Sequence, residues 1–224
     1  MYDFIKTDAA ELRSELSALR REFHRFAEPG WLEMRTTSRI ARELKNMGYE
    51  DILLGREVCR AESRMGLPSN EMMEEHYRWA EENGADEFFL PYTAGGFTGL
   101  VATLNCGDGP TVALRFDIDA LGVIESTEPD HKPFAEGFAS INPGVMHACG
   151  HDAHTAMLLG AAYVLNEMKD EFNGKVKLLF QPSEEGMRSG AEALVLGGVM
   201  DEIDVIIGVH IENWLNSGTV GVCK

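Results

Sequence analysis

The sequence predicts an α/β protein in which a mixed, mostly parallel sheet is flanked by helices. Amphipathic helical patterns alternate with short apolar strand candidates along the chain. The strand candidates at 111–118 and 176–180 are almost continuously apolar, which is typical of strands covered on both faces. Polar residues follow both of them directly, as expected at the carboxyl edge where α/β sheets bind ligands.

The composition predicts a soluble globular protein. The chain has 224 residues, 44% of them hydrophobic, enough for one good core. Its net charge of -17 would repel polyanions, so we expect neither a nucleic-acid nor a membrane partner. We also find no export signal or apolar run of membrane-spanning length. Cys59, Cys106, Cys149 and Cys223 form no Cys-x-x-Cys pair, which indicates reduced thiols and a cytoplasmic location.

The amino-terminal part of the chain predicts two scaffold helices. Residues 8–27 place apolar side chains at spacings of three and four, which gives one apolar helix face. The second helix is expected over 36–47, with Thr36 or Thr37 as its amino-terminal cap and Gly48 just past its end.

A strand over 50–58 is followed by a polar, methionine-rich segment, 59–92, which we interpret as an insertion. Within it, Ser69 is placed to cap a helix over 70–82, and Gly84 follows the end of that helix.

Two strands are predicted next, over 97–105 and 111–118. The Gly-Asp-Gly-Pro sequence at 107–110 favours a hairpin-like connection between them. Asp117 and Asp119 end the second strand and are candidate site residues. A polar turn that merely terminates the strand explains these two residues about equally well.

The densest motif is Val145–His154, which holds three of the seven histidines. Thiolate and imidazole suit zinc and its first-row neighbours, and in an extended segment Cys149 and His151 would point to the same side. The alternative is a polar loop in which Asp152 caps the helix predicted over about 154–169.

Two later strand ends also carry residues suited to metal hydrolysis. The next buried strand precedes Glu184 and Glu185, one of which could bind a metal while the other acts as general base. A short helix over 190–197 leads to a strand over 205–211 that contains His210. Taken singly, such a glutamate pair is usually a surface feature and such a histidine a core residue. Their position at successive strand ends favours a metal hydrolase.

Four separated blocks carry a recognisable pattern. They are Val-Ala-Leu-Arg-Phe-Asp-Ile-Asp at 112–119, Met-His-Ala-Cys-Gly-His-Asp-Ala-His at 146–154, Gln-Pro-Ser-Glu-Glu-Gly at 181–186 and Ile-Gly-Val-His at 207–210. Together, and in this order, they resemble the metal-dependent amidohydrolases related to carboxypeptidase G, hippurate hydrolase and the indole-acetyl amino acid hydrolases. Segments 59–92 and 131–143 are most similar to the members that cleave p-aminobenzoyl-glutamate.

This resemblance implies a site for two divalent metal ions, manganese or zinc. Cys149 would bridge the two ions. His151 and Glu185 would bind one of them, and His210 would bind the other.

The resemblance also implies the activity, which is hydrolysis of the amide of an N-acyl or N-aroyl amino acid. p-Aminobenzoyl-glutamate is one candidate substrate. Glu184 would act as general base, and Asp119 would orient a metal ligand. Asp117 is left without an assigned role, because related carboxypeptidases have a histidine ligand at its place.

The resemblance implies that residues 1–224 form the amino-terminal portion of a di-metal exopeptidase-like catalytic domain. A lid or dimerisation domain and the remainder of the catalytic domain would lie beyond it. The alternative is a catalytically incomplete metal-binding fragment or subunit that needs a partner chain. We expect a homo- or hetero-oligomer, because an incomplete domain exposes a sheet edge and apolar surface.

Overall fold

The structure is a computed structural model that describes residues 2–186 and 190–222. Its centre is one five-stranded sheet with the spatial order β1-β2-β4-β3-β5. The strands are β1 (Asp51–Leu54), β2 (Leu100–Asn105), β3 (Thr111–Asp117), β4 (Lys175–Gln181) and β5 (Val205–Gly208). The predicted class, a mixed α/β sheet flanked by helices, is confirmed.

The parallel part of the sheet positions the candidate site. β4, β3 and β5 run in the same direction, and Asp117 at the end of β3 is level with Gln181 at the end of β4. The loops that follow these three strands therefore leave from one edge of the sheet. On the other side of β4, β2 pairs with β4 in antiparallel orientation, and β1 pairs with β2 in the same way.

Helices cover the sheet on both faces. They are α1 (Tyr2–Glu11), α2 (Arg13–Arg25), α3 (Met34–Asn46), α4 (Asn70–Glu82), α5 (Lys132–Ala135), α6 (His151–Glu167) and α7 (Gly190–Leu196). Leu178 and Phe180 of β4 face the larger core, which includes residues of α2, α3 and α6, whereas Leu179 faces a second core with residues of α7. This alternation is the normal pleat of a strand buried on both faces. Among the described residues, no helix combines the length and the apolar character that a membrane crossing requires.

The predicted hairpin between the second and third strands is wrong, because β4 lies between β2 and β3. The connection instead crosses the amino-terminal end of β4. There the Cys106 amide donates to Gly174 O at 2.8 Å, and the Lys175 amide donates to Pro110 O at 2.9 Å. An almost continuously apolar strand is buried best in the centre of a sheet, and this long-range preference overrides the local turn sequence.

The predicted amino-terminal cap of α3 is also wrong. The helix begins at Met34, and neither Thr36 nor Thr37 caps it. The fully buried carboxylate of Glu28 instead accepts hydrogen bonds from the amides of Arg35 (2.9 Å) and Thr36 (2.7 Å). A carboxylate at this position satisfies amides that have no partner inside the helix and complements the positive end of the helix dipole.

The helix predicted inside segment 59–92 is confirmed as α4. The Ser69 hydroxyl accepts a hydrogen bond from the Met72 amide at 3.2 Å, as a helix cap does. His76 of this helix contacts Glu28 Oε1 at 2.9 Å, and Met73 packs into a third core with Met34. The segment is therefore attached to the start of α3.

Candidate metal centre

The stretch that carries Cys149 and His151 is not extended as predicted. Gly150 lies between them with a left-handed φ of +84°, and α6 starts at His151, three residues earlier than expected. Glycine tolerates this conformation because it has no Cβ. The left-handed turn and the first turn of the helix, not strand alternation, bring the two side chains to the same place.

The structure brings together every metal-binding residue that the sequence predicts. Three groups of potential ligands share His151, and within each group the ligand atoms lie within 4.8 Å of one another: Cys149, His151 and His210; His151, Glu184 and Glu185; Asp117, His151 and His154. Cys149 Sγ lies 3.4 Å from His210 Nε2, and His151 Nε2 lies 3.8 Å from Glu185 Oε1. β5 ends at Gly208, so His210 lies in the loop beyond this strand.

Asp119 joins two parts of this cluster. His151 Nδ1 lies 2.9 Å from Asp119 O and 3.2 Å from Asp119 Oδ1, while Asp119 Oδ2 accepts a hydrogen bond from the Glu185 amide at 2.9 Å. His151 Nε2 is buried and has no hydrogen-bond partner among the described residues. This arrangement leaves Nε2 as the free imidazole nitrogen, which is the usual state of a metal-binding histidine.

The cluster concentrates acidic groups that a cation would stabilise. Burial raises the pKa of Cys149 to about 12, and the carboxylates of Glu185, Glu184 and Asp117 add to this effect. Burial likewise raises the pKa of Asp117 to about 6, although the ion pair with Arg115 opposes it. A divalent ion would offset these negative charges and favour the thiolate. The set of thiolate, imidazole and carboxylate groups therefore fits a transition-metal or zinc site.

Cys149 is a free thiol, as predicted, and so are Cys59 and Cys106. The fourth predicted thiol, Cys223, lies outside the described residues.

His154 is a functional candidate that the sequence reasoning left unassigned. Its Nε2 atom accepts a hydrogen bond from the Ile211 amide at 2.9 Å, which attaches the His210 loop to α6. Burial, followed by the neighbouring His151 and His210, lowers the pKa of His154 to about 3. The ring is therefore neutral and can act as an acceptor. Its place in the histidine-rich stretch was the only available signal.

Asp152 is not the helix cap of the alternative interpretation, because Gly150 holds that position. Its buried carboxylate contacts His24 Nδ1 and Arg20 Nε, each at 2.8 Å. His24 Nε2 in turn lies 2.8 Å from Glu125 Oε1. This network fastens the first turn of α6 to α2. No local pattern could have revealed it, since Asp152 lies 128 residues from His24 in the sequence.

A mixed α/β sheet with thiol, imidazole and carboxylate groups gathered at the carboxyl ends of its parallel strands has the architecture of a metallopeptidase catalytic domain. Residues 113–223 match the family model described as Peptidase family M20/M25/M40. This segment, about half of the chain, therefore carries a domain of this family.

Curated relatives match nearly the whole chain. An indole-3-acetyl-aspartic acid hydrolase of Enterobacter agglomerans is 50% identical over 95% of this chain and 48% of its own length. One subunit of the p-aminobenzoyl-glutamate hydrolase of Escherichia coli K12 is 47% identical over 95% of this chain and 48% of its own length. The chain thus spans about half the length of the curated relatives it matches.

Solved structures show the same fold. An aminobenzoyl-glutamate utilization protein from Klebsiella pneumoniae is 41% identical and superposes with a TM-score of 0.78 over 93% of this chain and 46% of its own. A dinuclear metal binding peptidase of the M20 family from Bacillus subtilis is 30% identical, with a TM-score of 0.70 over 96% of this chain and 47% of its own.

Proposed function

We propose that this chain is part of a metal-dependent amidohydrolase that cleaves the amide bond of an N-acyl or N-aroyl amino acid. The observation that carries the proposal is the convergence of Cys149, His151 and His210, whose ligand atoms lie within 4.8 Å of one another. Glu184 and Glu185 extend the same cluster through His151. Relatives named as hydrolases of amino acid conjugates support this reaction class.

We further propose that the cluster holds two divalent ions, manganese or zinc. Cys149 would lie between them, since its Sγ atom is grouped with both His151 and His210. Glu185 would join His151 on one ion, and His210 would bind the other. The neighbour named as a dinuclear metal binding peptidase supports this number of ions.

The side chains of the cluster would share the chemical work. When bound, the ions would polarise the amide carbonyl and acidify water. Glu184 would take a proton from the attacking water and deliver it to the nitrogen of the departing amine. Asp119 would hold His151 by accepting the hydrogen bond of Nδ1–H, which keeps Nε2 directed at the site.

The substrate proposal concerns p-aminobenzoyl-glutamate first, because of the relatives and the solved structure that carry its name. Indole-3-acetyl-aspartate is the second candidate. The test measures the metal content of the purified chain together with hydrolysis of both compounds in added manganese or zinc. Turnover with close to two metal ions per chain is expected. A protein that binds no metal in the presence of either ion would refute the proposal.

A second candidate function is that of a metal-binding subunit whose site is completed by another polypeptide segment. The exposure of the edge strand β5 favours it. Val205, Ile206 and Ile207 are each about half exposed, and the outer edge of this strand has no partner strand among the described residues. Trp214, in the loop that follows, is 74% exposed. Gel filtration separates the two candidates, since a well-behaved monomer with turnover would exclude the second one.

We also propose that residues 1–224 are the amino-terminal part of the catalytic domain and that 59–92 is an insertion particular to the subfamily. The chain's coverage of about half of its relatives supports the first statement. The three free thiols among the described residues support a reducing compartment, which we propose to be the cytoplasm.

A further inference from the structure

We propose that Glu33 is a positioning residue that fixes the turn carrying Glu184 and Glu185. This inference rests on the proposed function, because it concerns the same base and the same metal ligand. Glu33 precedes α3 and lies 150 residues from the turn in the sequence. Its hydrogen bonds reach the backbone of the turn and a threonine of the scaffold, not the proposed metal ligands or the proposed base.

Both carboxyl oxygens of Glu33 are engaged. Oε1 accepts a hydrogen bond from the Ser183 amide at 2.7 Å, and Oε2 accepts one from the Thr98 hydroxyl at 2.6 Å. The Glu33 side chain is fully buried. Because water cannot replace these partners, the carboxyl group links the turn to Thr98 and to the start of α3.

The turn itself is under conformational constraint. Ser183 has a positive φ of +47°, which is uncommon for a residue with a side chain. The chain also packs tightly around it, since a Cβ added at Gly30 or at Gly186 would lie 2.7 Å from Ser183 Oγ. A turn that is strained and closely packed keeps its shape only if its surroundings hold it. The hydrogen bond that the Ser183 amide donates to Glu33 provides such a contact.

Residues 28–33, the segment that contains Glu33, also contact the loop of Asp119. The Ala120 amide donates to Glu28 O at 2.8 Å, and Pro29 forms a bridge with Ala120. Residues 28–33 therefore contact both loops that carry the site carboxylates. This placement explains why a group outside the cluster can control the distance between Asp119 and Glu185.

A glutamine can reproduce the contacts of Glu33. Glutamine has the same shape as glutamate, and burial, together with the nearby charge of Asp119, raises the pKa of Glu33 well above its usual range. The amide oxygen can accept from Ser183 N, and the amide nitrogen can donate to the Thr98 hydroxyl, which is able to accept as well as donate.

The test compares Glu33→Ala and Glu33→Gln with the control Glu28→Ala. Glu28 is equally buried and lies in the same segment, but its side chain contacts the start of α3 and His76 and not the turn. Hydrogen exchange is followed at the Ser183 amide by mass spectrometry, and metal affinity, kcat and KM are measured on the whole chain well below the melting temperature of each variant.

In Glu33→Ala we expect exchange at Ser183 to be about tenfold faster, because its amide loses a buried acceptor. We expect kcat to fall about 100-fold with little change in KM, since a displacement of about 1 Å is enough for such a loss. Metal affinity should fall about tenfold through Glu185. Glu33→Gln should restore all three quantities to near the values of the unmodified chain, and Glu28→Ala should alter only the melting temperature.

Unchanged exchange at Ser183 in Glu33→Ala would overturn the inference. So would an equal loss in Glu33→Gln, or an equal loss of kcat in Glu28→Ala. If the unmodified chain neither binds metal nor turns over substrate, the proposed function fails, but the exchange measurement still decides whether Glu33 fixes the turn.

Discussion

Replacing Asp119 with alanine should weaken metal binding about 100-fold. The substitution removes the oxygen 3.2 Å from His151 Nδ1 and the acceptor of the Glu185 amide at 2.9 Å, while the backbone contact of His151 at 2.9 Å remains. Loss of one such supporting contact typically costs 10- to 100-fold in metal affinity, and tenfold corresponds to about 1.4 kcal/mol. The expected 100-fold loss lies at the upper end of this range and corresponds to about 2.8 kcal/mol.

The measurement is calorimetric titration of the metal-free chain with zinc or manganese. Asp119→Asn is the matched variant, because its amide keeps one acceptor for the Glu185 amide but not both contacts, so about a tenfold loss is expected. Thermal unfolding without metal shows whether each variant is folded at the temperature of the titration. A folded Asp119→Ala variant that binds within about threefold of the unmodified chain would refute the orienting role.

Three further predictions concern the base, a helix cap and a histidine. Glu184→Gln should lower kcat by at least about 100-fold while metal stoichiometry stays unchanged; retained turnover would show that another group moves the proton. Ser69→Ala should lower the free energy of unfolding by about 1 kcal/mol in urea denaturation, and an unchanged midpoint would mean that the cap contributes nothing. Burial lowers the pKa of His24, but its hydrogen bonds to Asp152 and Glu125 outweigh this effect and raise it above 6.5. The contribution of His24 to the free energy of unfolding is therefore complete below pH 6.5 and is lost as the pH rises through the raised pKa. Urea denaturation across this pH range should show the free energy of unfolding decline, and the decline should be smaller in His24→Phe.

The ligand cluster could be predicted because the sequence determines it through two simple patterns. The apolar runs at 111–118 and 176–180 indicate central strands, and the carboxyl ends of parallel strands meet at one edge of a sheet. Glu184, Glu185 and His210 follow such strands directly. Cys149 and His151 come from the segment that leads from β3 into α6, and they approach the same edge. Cys149 and His151 lie on the same side, as predicted, but for a different reason. A left-handed glycine and the start of a helix replace the expected extended segment.

The order of the strands could not be predicted from the turn sequence. A Gly-Asp-Gly-Pro turn is equally able to close a hairpin and to cross the end of a third strand, and the difference depends on which pairing buries β4. The amino-terminal cap of α3 was predicted wrongly for a similar reason. Thr36 and Thr37 have the right chemistry for a cap, yet Glu28 reaches the helix start from eight residues before Thr36 and excludes them.

The candidate ligands could be recognised in the sequence, whereas the residues that contact and support them could not. A metal ligand must be one of a few residue types, so the candidate ligands Cys149, His151 and Glu185 stand out in the sequence. A supporting residue needs only a hydrogen-bonding atom at the right point in space. His24 and Glu33 meet this need from positions more than 100 residues away from Asp152 and Ser183, respectively. Both lie before residue 113, outside the segment that matches the family model. His24 of α2 and Glu33, just before α3, thus contact the segments that carry the candidate ligands.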